Sequence, residues 1–306
     1  MLSFLLKRIV SAIPTLFIIV TLAFFMIRLA PGGPFDAERA VPAEIAANLD
    51  AVYHLDESLP RQYVAYLSGL LHGDFGPSFK YQDHTVSELI AEGFPVSLQL
   101  GLGAIVLALL VGVTLGMIAA VYQNQWVDYA VMFVSMTGIT IPNFVMAPLL
   151  ALVFGVLLGW LPVAGWGQWS HWVLPVIALA LPQIAAVARM TRGSLIEILN
   201  APYIRTAKAK GLPLGLILRR HASRATLLPL LSWLGPAIAA IVTGSVVIEQ
   251  IFSLPGIGRY FVNGALNRDY TLVMGVVVFY AVLIVLMNVL VDILYRWLDP
   301  RIELND

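Results

Sequence analysis

Tyr203-Ile204-Arg205-Thr206-Ala207-Lys208-Ala209-Lys210-Gly211 lies between Pro202 and Pro213, with long apolar regions on either side. An Ala-containing run of good helix formers bracketed by prolines predicts a short stand-alone helix rather than a loop. It belongs to a cationic island, Arg189 to Arg224. The island holds 8 of the 18 Lys and Arg (Arg189, Arg192, Arg205, Lys208, Lys210, Arg219, Arg220 and Arg224) against one acid, Glu197. A basic hydrophilic segment of this length between membrane spans is kept in the cytoplasm by the positive-inside bias. The helix is therefore placed to meet a cytoplasmic partner.

Outside the island the composition is that of a membrane protein. Apolar residues make up 59% of the 306 and charged residues 12%, with mean hydropathy +0.86. An ordinary soluble domain carries about 25% charged residues. Formal net charge is zero, which speaks against a nucleic-acid partner. The chain has no cysteine, which excludes disulfides, thiol nucleophiles and Cys-ligated metals. His54, His72, His84, His171 and His221 are too scattered for metal-ligand spacing, so no metal site is expected.

Charge-free runs of about 20 residues mark membrane spans. Ile9 to Ile27 is the first, preceded by Lys7 and Arg8 and too long for a cleaved signal peptide. Val96 to Val121 is the second. Tyr129 to Ala188 contains no Asp, Glu, Lys or Arg and is long enough for two spans, folded at the turn carrying Trp160, Trp166, Trp169 and Trp172. Those tryptophans suit an interfacial belt. Ala225 to Ile248 and Tyr270 to Val291 complete six, which puts both termini on one side, the cytoplasmic one. The expected fold class is an all-α polytopic membrane protein with six transmembrane helices.

Residues 31–95 reverse the charge balance. Ten acids, among them Asp56, Asp74 and Glu88, stand against Arg39, Arg61 and Lys80, and the segment is placed outside the membrane. Alternation of apolar and polar residues from Ala43 to Leu71, with Pro60 as a break, predicts short amphipathic helices on the outer face. The chain is accordingly divided into 1–95, an anchor helix with the acidic external segment, and 96–306, a five-helix core carrying the basic loop 189–224.

No phosphate loop, dinucleotide fingerprint, His-Glu-x-x-His or Gly-x-Ser-x-Gly elbow is present. No catalytic residue is expected, and ATP hydrolysis by this chain alone is excluded. Gly112-x-x-x-Gly116 and Gly155-x-x-x-Gly159 read as helix-packing motifs. Glu249 has two readings, a solvated helix-end residue or a gate or lining residue at the outer side. Phe252 to Gly258 is either a simple turn or a re-entrant constriction, for which Pro255, Gly256 and Gly258 beside a charged residue are suited.

Arg205-Thr206-Ala207 followed by Gly211 resembles the Glu-Ala-Ala-x-x-x-Gly loop of ABC importer permeases, in the Tyr-x-Arg-Thr-Ala-x-Ala-Lys-Gly form of the peptide and nickel branch. Arg205 takes the place of the general motif's glutamate, and Ala225 stands where relatives commonly have Asn. The match continues in Leu55 to Tyr63, Gly73-Asp74-Phe75-Gly76, Glu249 to Gly258 and Asp299-Pro300-Arg301. It covers essentially the whole chain, which is most similar to the B-type permeases of oligopeptide importers.

The resemblance implies a type I ABC importer permease fold in a bacterial inner membrane and half of a transport pathway. It also implies a homologous second permease subunit, two cytoplasmic ATPase subunits that bind the ATP and Mg, and an external peptide-binding protein. In that setting residues 203–211 are the coupling helix. Ala207 and Gly211, four apart on one face, would allow close approach to the ATPase, and Arg205, Lys208 and Lys210 would meet acidic groups at the rim. Glu249, Phe252, Pro255, Gly256 and Gly258 are the candidate external gate. Dipeptide or nickel import by the same architecture is the alternative. A scaffold or an intramembrane enzyme is opposed by the lack of paired acids or a nucleophile in the spans.

Overall fold

The computed structural model describes residues 2–29, 56–81 and 83–298. The expected helix region before Asp56 and the Asp299-Pro300-Arg301 motif lie outside them. Ten helical elements follow in order: α1 (Leu2–Arg28), α2 (Leu59–Leu71), α3 (Val86–Val121), α4 (Trp126–Thr140), α5 (Asn143–Leu157, its second half π-helical), α6 (Ser170–Leu199), α7 (Pro202–Ala209), α8 (Leu214–Ile251), α9 (Ile257–Leu266) and α10 (Tyr270–Leu298). Among the described residues there is no β-strand, only an isolated bridge from Pro77 to Thr85. Among the described residues five helices are long and apolar enough to cross a membrane (α1, α3, α6, α8 and α10), and α4 with α5, bent by 105°, brings the number to six when counted as one span.

The bend has a local cause. Pro142 disfavours helical geometry in the residue before it, and Ile141 is extended at φ −95° and ψ 118°. The charge-free region Tyr129 to Ala188 therefore turns twice, first at Ile141-Pro142 and again in the tryptophan segment. There Gly159, Gly165 and Gly167 take positive φ and Trp166 stacks on Trp172 with ring centres 5.0 Å apart.

Two other elements start elsewhere than expected. Val86, not Val96, opens α3. Thr85 and Glu88 form a reciprocal cap, the Thr85 N–H donating to Glu88 Oε2 at 2.8 Å and the Glu88 N–H to Thr85 Oγ1 at 3.2 Å. Ten residues assigned to the outer segment are thus the first turns of a span helix. Pro60 lies in the first turn of α2 rather than breaking it, since its missing N–H is not needed there.

The chain forms two compact units. The first comprises Met1–Ser97 and Pro255–Val285. Val86, Leu89, Ile90, Ile257, Leu272 and Val276 make its core, flanked by Phe75, Tyr81, Phe94 and Tyr260. Aromatic contacts seat α2 on the end of α1, where Phe24 lies 5.2 Å from Tyr63 and 5.9 Å from Tyr66, centre to centre. Asp269 is wholly buried at the start of α10. It accepts the Leu272 N–H at 3.1 Å, the Ser78 hydroxyl at 2.5 Å and the Lys80 N–H at 3.1 Å. One carboxyl group thereby caps the helix and ties the 78–80 loop to it.

The second unit comprises Leu98–Leu254 and Leu286–Asp306. Its helices meet at small residues. A Cβ on Gly112 would come within 2.9 Å of the Ile184 carbonyl oxygen, one on Gly116 within 2.5 Å of the Ala188 carbonyl oxygen, and one on Gly138 within 2.3 Å of the Leu181 carbonyl oxygen. Gly112 and Gly116 thus act as packing glycines of α3 against α6, and Gly138 does the same for α4.

Candidate functional site

The basic end of the second unit is organised around α7. Ala201 precedes it in extended conformation and Pro202 occupies its first turn, as the flanking sequence requires. At the other end the Gly211 N–H donates to the Lys208 carbonyl at 2.9 Å and the Leu212 N–H to the Ala207 carbonyl at 3.3 Å. Gly211 has φ +76°. This is a Schellman closure, in which glycine takes the left-handed position and two otherwise open carbonyls are satisfied.

Ile204 and Ala207 are buried and face the chain's own core, joining Ala120, Leu195, Ile217 and Ala222. Met117, Leu199 and Leu212 pack around them. The close approach that Ala207 permits is therefore made to α3, α6 and α8 of the same chain. Gly211 points elsewhere, and a Cβ there would meet nothing within 4 Å. Its glycine answers to backbone conformation, not to crowding.

Tyr203, Arg205, Thr206, Lys208, Ala209 and Lys210 form the exposed face of α7. A hollow of about 410 Å³ opens beside it, lined by Tyr203, Thr206, Ala207, Lys210, Leu212 and His221. Arg219 and Arg220, also exposed, stand on the π-helical turn Ile217–Ala222 that begins α8. The result is a rigid, positively charged knob whose inner side is apolar and fully packed. Such an element moves as a body when pushed and presents donors to an acidic surface.

The residues singled out around Glu249 divide between the two units. In the second unit Glu249 is wholly buried and Phe252 is 1% exposed. The Ser245 hydroxyl donates to the Glu249 carboxyl group, and the Leu254 N–H to the Glu249 carbonyl at 2.8 Å. Of the two readings of Glu249, the solvated one is incompatible with this burial. In the first unit Gly256 and Gly258 are buried and Pro255 is half-buried. Gly256 precedes α9 at φ −96° and ψ 173°, extended geometry open to any residue. The Ile257 N–H donates to Ser97 Oγ at 3.0 Å.

One polar contact of the second unit escaped the sequence reading. Asp128, 1% exposed, receives two hydrogen bonds from Arg192, Nε to Oδ1 and Nη2 to Oδ2, both 2.6 Å. The Asn124 N–H donates to Asp128 Oδ2 at 2.9 Å. Asp128 is the one Asp, Glu, Lys or Arg in residues 93–188. A lone acid in an apolar stretch calls for a partner, and that was the available signal.

These features define a class: a helical, polytopic membrane protein whose short basic helix is packed onto its long apolar helices. Residues 1–101 match the family of binding-protein-dependent transport system membrane components, N-terminal part, and residues 112–304 the family of binding-protein-dependent transport system inner membrane components. The chain belongs to that family and is a non-catalytic, multi-pass inner-membrane subunit of an ABC transporter.

Among its relatives, the oligopeptide transport system permease protein OppB of Salmonella typhimurium is 55% identical over 99% of this chain and all of its own length. OppB of Escherichia coli K12 is 54% identical over the same shares. The dipeptide transport system permease protein DppB of Bacillus subtilis is 46% identical over all of this chain and 99% of its own. In fold, the chain resembles a solved structure of the MetNI methionine ABC transporter, with TM-score 0.56 and 17% identity over 69% of this chain and 97% of the other.

Proposed function

We propose that this chain forms half of the translocation pathway of an oligopeptide importer, pairing with a homologous second permease subunit. The basic end and both termini face the cytoplasm. There α7 engages one of two ATPase subunits, which bind the ATP and Mg, while an external binding protein delivers the peptide. The end of α8 at Glu249 and Phe252 and the start of α9 at Pro255, Gly256 and Gly258 are the proposed outer constriction.

The observation that carries this reading is the division of α7 into two faces, with Ile204 and Ala207 fully packed and Arg205, Lys208 and Lys210 exposed. A helix built only to fix topology or to hold anionic lipid needs the charges but not the packed inner face. Full-length identity to two oligopeptide permeases supports the substrate class.

Purification of the tagged chain from its native membrane should bring ATPase subunits and a second permease with it. The complex in vesicles should import labelled peptides of graded length when binding protein and ATP are present. Import confined to dipeptides would favour the alternative substrate. Absence of co-purifying ATPases would remove the coupling role.

A further inference from the structure

We propose that the Asp128–Arg192 pair is a positioning strut that carries movement of α7 to α4 and its 105° bend. The inference rests on the reading of α7 as the coupling element and extends it to a span that does not adjoin α7 in sequence.

Three observations place the pair on that route. Arg192 lies one turn before Leu195 on α6, and Leu195 is in the core that holds Ile204 and Ala207 of α7. Around Arg192, α6 is gripped by α3, since a Cβ on Gly116 would meet the Ala188 carbonyl oxygen at 2.5 Å and the Arg192 N at 3.1 Å. Through its side chain Arg192 then holds Asp128 in a two-pronged, charge-assisted geometry at the first turn of α4. At its other end α4 touches α6 through Gly138 and Leu181.

Asp128 is buried while the Arg192 side chain is 28% exposed; such a pair is a modest source of net stability but a good determinant of register, because only one alignment satisfies the buried carboxylate. The Arg fork accepts one planar orientation of the carboxylate, which a lysine would not impose. A displacement of α6 driven from α7 is thereby transmitted to α4 without slip. The bend at Ile141-Pro142 is where it becomes a change of direction in the span.

The test uses the complete transporter in vesicles, with binding protein, labelled peptide and ATP, and compares Asp128→Asn, Arg192→Gln, Arg192→Lys and the exchange Asp128→Arg with Arg192→Asp. Gly211→Val is run in parallel. Asp128→Asn and Arg192→Gln should assemble with the ATPases and keep basal ATP hydrolysis, while peptide imported per ATP falls by about ten-fold or more. Arg192→Lys should be intermediate, and the exchange should recover much of the loss.

Normal import per ATP in either single-charge variant overturns the strut. Loss of assembly that the exchange does not repair also overturns it, since the pair would then serve only the fold. If Gly211→Val uncouples import and Asp128→Asn does not, the strut alone falls. If Gly211→Val is normal, the reading of α7 falls and the strut with it.

Discussion

Leu212 donates its backbone N–H to the carbonyl of Ala207 at 3.3 Å, and the turn this closes holds Gly211 at φ +76°. Leu212 also packs against the apolar core that holds Ala207 beneath α7. The end of the helix is therefore fixed twice, by a hydrogen bond and by a side-chain contact.

Substitution at Gly211 should follow backbone preference rather than side-chain size. A Cβ there has open space, so the penalty is that of the left-handed conformation, about 1–2 kcal/mol for most residues and less for Asn. Gly211→Val should reduce ATPase association and import per ATP more than Gly211→Asn, in complexes matched for membrane level. Equal defects in the two would mean that contact with a partner, not the Schellman turn, governs this position.

Ile204 and Ala207 should outweigh the lysines. Replacing the wholly buried Ile204 with Ala removes core contacts worth about 2–5 kcal/mol, and Ala207→Phe overfills the same seat at about 1–3 kcal/mol. Both changes detach α7 from α6 while leaving its charges in place. Lys208→Gln and Lys210→Gln alter only solvated rim charges, which contribute little. ATPase pull-down from solubilised membranes should rank the two core variants as the more damaging.

Topology can be read with single cysteines, because the chain has none of its own. If α4 and α5 together cross the membrane once, exposed Gln123 and exposed Gln168 lie on opposite sides. A membrane-impermeant thiol reagent added outside should then label Gln168→Cys but not Gln123→Cys or Lys208→Cys. Equal labelling at 123 and 168 would make the bent pair re-entrant.

What the sequence discloses here depends on how local the cause is. The α7 helix is bounded by Pro202, Pro213 and Gly211, all within a dozen residues, and its limits follow from them. The start of α3 was equally local, in the Thr85 and Glu88 cap, but apolar counting passes over it because Glu88 and Glu92 are charged. Counting a charge-free run measures length and not direction, so the turn at Ile141-Pro142 does not emerge from it. Spacing puts Ala207 and Gly211 on one helical face without saying which neighbour that face meets, and the packing directs Ala207 inward. The partner of Asp128 is 64 residues away. Nothing in the local pattern names Arg192, although the isolation of the acid marks it as needing someone.

The last expectation concerns Asp269, which joins the 78–80 loop to the start of α10 within the first unit. Its buried carboxyl group serves two backbone N–H groups and the Ser78 hydroxyl. Asp269→Ala leaves those donors without an acceptor in a dry site, and each hydrogen bond to such a group is worth about 1.5–3 kcal/mol when charged. Asp269→Asn preserves shape and one acceptor oxygen and should cost less. Ser78→Ala removes one donor to the carboxyl group and the acceptor of the Tyr81 N–H at 2.9 Å, but it leaves the Leu272 and Lys80 bonds to Asp269 in place and should cost less than Asp269→Ala. Thermal unfolding of the purified complex in detergent should place Asp269→Ala lowest, with α7-dependent ATPase association unchanged in all three at permissive temperature. A Ser78→Ala defect as large as that of Asp269→Ala would place the hold on the loop in the serine rather than in the helix cap.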